Sequence, residues 1–254
     1  MTTALNNTPQ PEEGLSILGH LNELRIRLTW AAAGLLVMTV VSFIFAEDIL
    51  QYLLRPYEVR LQTLSPTEGI ETFFKVSFIS GAILAMPIIV YQIWLFIAPG
   101  LTQSERKYVY LFLPGTIALF MIGISFAWFI LVPAAVGFLS QFMSDIFNAE
   151  WTGQEYVSFV LAMLFWIGVS FEMPIIAYFV GLFGLVEAST LASQWRFAVV
   201  GISILAAVIT PSIDPVTMLL TMGPLLVLYG FSIGTTKIGY SQFERKMKVE
   251  GLEE

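Results

Sequence analysis

The stretch 157–182, VSFVLAMLFWIGVSFEMPIIAYFVGL, decides how the rest of the chain is read. It is an apolar run that, at about 1.5 Å per helical residue, reaches across a hydrocarbon core of about 30 Å. One acid, Glu172, lies well inside it. An ionised carboxylate at that depth costs about 2.5–3.5 kcal/mol on the mildest scale. The chain must therefore give Glu172 a polar partner, a water-filled hollow or a proton. Pro174, two residues on, cannot donate to the carbonyl of Ser170, which predicts a kink and a freed acceptor beside the acid. The plain reading is a protonated Glu172 bonded to that carbonyl or to a neighbouring helix. The other is a functional site, the default for an acid inside a membrane.

Working outward, the composition fits one class only. Hydrophobic residues make up 57% of the 254 and charged residues 12%, with a mean hydropathy of +0.79, far more apolar surface than a soluble domain can hide. The expectation is an all-α polytopic membrane protein. The net charge of −7 does not suggest a nucleic-acid partner. With no cysteine and one histidine, His20, the chain offers no disulfide, no thiol nucleophile and no usual metal centre, so no cofactor or metal is expected. No catalytic group suggests itself.

In chain order, 1–14 is polar, acidic and Pro-containing, without a basic signal-like start, and reads as a disordered cap. Residues 15–28, LSILGHLNELRIRL, set Leu18, Leu21, Leu24 and Leu28 at helical spacing, a surface helix running into a first span over 29–46. Ser65-Pro66-Thr67-Glu68 has the spacing of a capping box with Pro at the first helical position, opening a helix over 66–97. A second box, Thr102 with Glu105, precedes a third span over 108–131 that should end at Pro133. The loop 134–155 follows, and then the Glu172 helix. FAVVGISILAAVIT (197–210) covers only about 21 Å, short of the hydrocarbon thickness. A sixth helix over 215–233 contains Pro224, and 235–254 reads as a charged, solvated tail behind a single membrane domain, 15–234.

The side holding the N-terminus, the 98–107 loop, the 183–196 linker and the tail carries nine Lys and Arg; the other side carries only Arg55, Arg60 and Lys75. That asymmetry places both termini in the cytoplasm of a six-helix protein. A short fifth and sixth helix beside a kinked, acid-bearing fourth suggests a concave groove open sideways to lipid. There is no inverted repeat of the kind common in secondary transporters.

HLNELRIRL (20–28), LSPTE (64–68), MPIIVYQIWLFIAPGLTQSERK (86–107), FEMP (171–174) and ITPSID (209–214) together resemble the TatC family, core receptors of the twin-arginine protein translocase. The resemblance runs in register from about 18 to 234. It implies six membrane helices, the last two short, and a receptor for twin-arginine signal peptides of folded cargo proteins. It also implies work with TatA- and TatB-type single-span subunits, self-association in the complex and export driven by the proton-motive force. A prokaryotic plasma membrane is the expected location, and no enzymatic activity is implied. The chain has no phosphate-binding G-x-x-x-x-G-K-[ST] loop.

Two guanidinium forks pair best with carboxylates. Glu23 and Glu105 match the acids of the family's recognition surface, and Leu24 and Phe96 match positions beside it. Glu23 could equally spend itself on Arg27 at i,i+4, worth a few tenths of a kcal/mol at about 0.2–0.5. Glu105 could equally serve the Thr102 cap. The resemblance sets Glu172 facing the groove and makes Thr210 and Asp214 a docking region for partner helices. Met218 stands where some relatives carry glutamine. Pro56 matches a proline that shapes the first outer loop, although it also reads as a plain turn. The competing functional reading is a proton-coupled secondary transporter with Glu172 as its proton site; a scaffold without a ligand is the third.

Overall fold

The surface helix and the first apolar run form one continuous helix, α1 (Ile17–Ile44), because nothing between Leu18 and Ile44 breaks the backbone ladder. The computed structural model describes residues 17–55, 61–98, 103–142, 144–146, 151–210 and 214–249, with the side chains of 17, 18, 103–111 and 249 excepted. The expected 1–14 cap lies outside them. A short helix, α2 (Ala46–Leu53), follows α1. The chain then returns in α3 (Glu68–Ile97), antiparallel to α1. A Cβ at Gly81 would stand 2.5 Å from Thr39 Cα, so only glycine lets the two backbones meet there. Phe43 meets Phe73 edge-on at 4.9 Å at one end of this hairpin, and His20 stacks on Phe96 at the other.

The third crossing departs from expectation. α4 (Gln103–Phe126) passes through a π-helical turn, Ala127–Leu131, into α5 (Val132–Gln141). Pro133 does not end the helix. It sits in the first turn of α5, where a missing N–H is harmless, while Val132 N–H donates across the wider turn to the Ala127 carbonyl. The loop expected from 134 therefore starts only after Gln141.

The fourth crossing is two helices, α6 (Gly153–Ser170) and α7 (Met173–Leu182). The kink expected at Pro174 is a full break at Phe171 and Glu172. α8 (Ala188–Ser193) is one short turn, and α9 (Trp195–Ile209) has 15 residues, as short as expected. The last helix, α10 (Pro215–Val249), is not short: it runs 35 residues and takes in most of the segment read as a solvated tail. Packing explains this. Thr235 donates to the Pro174 carbonyl at 2.6 Å, Tyr178 to Gln242 Oε1 at 3.0 Å, and a Cβ at Gly239 would collide with the Tyr178 carbonyl. α10 lies along α7, parallel to it, past the end of the apolar run.

By length and composition five stretches can cross a membrane: Gly19–Ile44, Glu68–Ile97, Phe112–Gln141, Gly153–Leu182 and Pro215–Lys248. Trp195–Ile209 is a shorter apolar sixth. The protein is thus all-helical and polytopic. α6 is the hub, with Tyr156, Val157, Val160, Leu161 and Ile167 buried among α3, α4 and α9.

The two ends of this bundle are built differently. At the far face, where α3 and α6 begin, Gln62 N–H donates to the Trp151 carbonyl and Gly153 N–H to the Gln62 carbonyl, at 3.2 and 3.1 Å. Tyr156 Oη donates to the Leu53 carbonyl at 3.0 Å. Only half of the Ser65–Glu68 capping box forms. Glu68 accepts from Ser65 N–H at 3.4 Å and Leu64 N–H at 2.7 Å, whereas the Ser65 hydroxyl meets Thr67. The other Glu68 oxygen accepts from Gln154 N–H at 3.1 Å, 86 residues away. At the opposite, terminal face lie the start of α1 and the ends of α3, α7 and α10.

Candidate functional site

On the terminal face the residues singled out from sequence fall on α1, α3 and α4. Glu23 Oε1 accepts from Arg27 Nη2 at 3.4 Å, the i,i+4 pair foreseen, with side chains 20% and 29% exposed. A part-buried contact as long as this, within one helix, contributes a few tenths of a kcal/mol, about 0.2–0.5. Leu24 is exposed. One turn before them the His20 ring stacks on Phe96, centroids 4.5 Å apart and planes at 27°. The structure therefore brings Glu23, Leu24 and Phe96 to one surface, with the sole histidine between them. Sequence reasoning missed His20. Its place three residues before Glu23 was visible, but not the pairing of residue 20 with residue 96.

Glu105 lies in the first turn of α4, and its side chain is outside the described residues, as are Thr102 and the cap they were expected to form. Pro56 is outside them too.

Within the membrane, Glu172 precedes α7 as its N-cap residue, without making a side-chain cap bond. It is only 6% exposed, so it lies inside the protein rather than on an open wall. Its Oε1 has no hydrogen-bond partner among the described residues. Glu172 is not among the residues that wall a hollow of about 310 Å³ formed by Tyr52, Ser80, Trp128, Phe129 and Leu164. Pro174 is buried in the first turn of α7. From α10, Thr235 and Thr236 donate to the carbonyls of Pro174 and Ala177 at 2.6 and 3.1 Å, not to the Ser170 carbonyl that the sequence expected to be freed.

Thr210 and Asp214 flank the α9–α10 turn. Thr210 is buried and its hydroxyl donates to the Ala206 carbonyl at 2.8 Å, closing α9. Asp214 Oδ1 accepts from Thr217 N–H at 2.6 Å, opening α10. Both side chains serve helix ends within this chain. None of the described residues forms a group of three or more His, Cys, Asp or Glu able to hold a metal ion.

An all-helical polytopic membrane protein, with five long apolar stretches and a shorter sixth, is the class that this fold defines. Comparison narrows it. The family model for the Sec-independent protein translocase protein TatC matches residues 19–224. The chain is 38% identical over 219 residues to the Sec-independent protein translocase protein TatC of Helicobacter pylori, covering 86% of each. It is 40% identical over 221 residues to the chloroplastic TATC of Pisum sativum, covering 86% of this chain and 63% of that one. A crystal structure titled as the twin arginine translocase receptor TatC superposes with a TM-score of 0.80 at 37% identity, over 87% of this chain and 99% of that one. The chain belongs to the TatC family of Sec-independent protein translocase proteins, non-enzymatic components of protein transport in membranes.

Proposed function

We propose that the chain is the receptor subunit that binds twin-arginine signal peptides of folded cargo on its terminal face. The observation that carries this reading is the Glu23–Phe96 surface. It offers a carboxylate held only by a weak i,i+4 pair, beside an exposed Leu24 and an aromatic ring that His20 holds in place. An arriving guanidinium forms bidentate, charge-assisted bonds that the 3.4 Å contact with Arg27 does not match, so Glu23 exchanges partners at little cost. Glu105, on the adjacent α4, supplies the second acid. Leu24 and Phe96 meet the apolar part of the signal.

Nine of the twelve Lys and Arg lie on the terminal side, which supports cytoplasmic chain ends in a prokaryotic plasma membrane. TatA- and TatB-type single-span subunits dock near Thr210 and Asp214. Because both side chains already serve helix ends, a partner meets them through their spare acceptor capacity. Copies of the chain associate in the working complex, and the proton-motive force drives export. Glu172, buried with one unpaired oxygen, is the observation that favours the second reading, a proton-coupled carrier.

A photoreactive phenylalanine analogue at position 96 tests the receptor reading. It should form adducts with a twin-arginine peptide and several-fold fewer with its twin-lysine form, because lysine keeps the charge and loses the fork. Equal labelling by both peptides, or uptake of a small solute by the chain alone in vesicles, would overturn the reading.

A further inference from the structure

The far face holds a cavity of about 620 Å³ between α3 and α6, whose walls include Lys75, Trp151, Gln154, Glu155, Ser158 and Phe159. Lys75 is half-buried there, and its Nζ donates to Ser158 Oγ at 2.7 Å. The Ser158 hydroxyl is itself spent on the Gln154 carbonyl. An ammonium has three donors, and among the described residues no carboxylate stands within ion-pair distance of this one. Glu155 lines the same cavity, exposed and equally without an ion pair. The cavity thus holds one cation and one anion, set apart, above an apolar wall.

Depth identifies the occupant. Lys75 lies seven residues into α3, about 10 Å below its far end at 1.5 Å per residue. Trp151, an indole of the kind enriched at membrane interfaces, lines the same cavity just before α6 begins. A phosphate with apolar chains attached fits that depth and that wall better than a soluble anion. We propose that the cavity seats one phospholipid of the far leaflet. Its phosphate lies on Lys75, an ammonium of the headgroup faces Glu155, and an acyl chain runs down along Phe159. The lipid neutralises a lysine that the protein leaves unpaired, and it fills the space between α3 and α6 just below the bonds that join them.

Native mass spectrometry of the full chain tests this, with dioleoyl phosphatidylethanolamine, dioleoylglycerol and soluble phosphoethanolamine as probes. The phospholipid should be retained, while dioleoylglycerol and phosphoethanolamine should each bind at least tenfold more weakly. Lys75→Gln, which keeps a hydrogen-bond donor for Ser158, should lower phospholipid retention about tenfold, and Lys75→Arg should restore it. Glu155→Gln changes an exposed side chain and should fold whatever Lys75→Gln does. With phosphatidylglycerol as a fourth probe, the wild type should prefer phosphatidylethanolamine, and Glu155→Gln should abolish that preference. Equal retention by Lys75→Gln, or an unchanged preference in Glu155→Gln, would overturn the proposal. So would diacylglycerol held as tightly as the phospholipid. Phosphoethanolamine bound as tightly would also overturn it, by showing a site for free phosphate.

Discussion

Glu68 and Glu172 are both almost fully covered, 3% and 6% exposed, yet the protein treats them in opposite ways. Glu68 stands at the far face and accepts backbone N–H groups from Leu64, Ser65 and Gln154, so each of its oxygens is engaged. Glu172 stands at a helix break in the fourth crossing, and its Oε1 has no hydrogen-bond partner among the described residues. A buried carboxylate answered by the backbone is a structural clasp. Glu172 is not clasped in this way at its Oε1 among the described residues. A similar contrast separates one acid on each face of the bundle. Glu68 is tied to a segment distant in sequence, whereas Glu23 on the terminal face, where Tyr178 and His20 do reach across to Gln242 and Phe96, has only its own helix for a partner.

Thermal unfolding in detergent can break this comparison. Glu68→Ala strands three N–H groups at once and should lower the midpoint most, by roughly 6–8 °C. Tyr156→Phe removes one long-range bond, the donor to the Leu53 carbonyl, and should cost about 3–5 °C. Thr235→Val removes one bond to α7 within the membrane and should cost about 2 °C, in keeping with the modest average for such bonds. Glu172→Gln should lower the midpoint by no more than about 2 °C, since no described bond to Oε1 is lost. A fall as large as that of Glu68→Ala would mean that Glu172 is a second clasp, and the distinction between the two acids would fail.

How much of this was legible in the sequence follows from which forces are local. Apolar run lengths located the five long apolar stretches and the shorter sixth, because burying a span depends on its own residues. Pro174 marked the break beside Glu172, and FAVVGISILAAVIT marked the short α9. Pro133 misled, because a π turn shifted the register and turned a helix-ending residue into a helix-starting one. The extent of α10 was hidden as well. What holds 235–249 helical is contact with α7, and no periodicity within the segment reports that. Glu68 was read as a cap, and its bond to Gln154 joins residues 86 apart, which spacing cannot show. On the terminal face, Glu23 and Phe96 were named through family motifs. Their meeting through His20 required the α1–α3 pairing.

The central claim is that Glu23 exchanges a weak partner on its own helix for an arriving guanidinium. The most direct measurement is a binding titration of the detergent-solubilised protein with twin-arginine and twin-lysine signal peptides, in wild type and in Glu23→Gln. Glu23→Gln should leave the unfolding midpoint within about 1 °C, because it gives up only a long i,i+4 pair within one helix. It should nevertheless weaken twin-arginine binding about tenfold or more and bring it level with twin-lysine binding. Twin-arginine affinity unchanged by Glu23→Gln, with the preference over twin-lysine intact, would contradict the account.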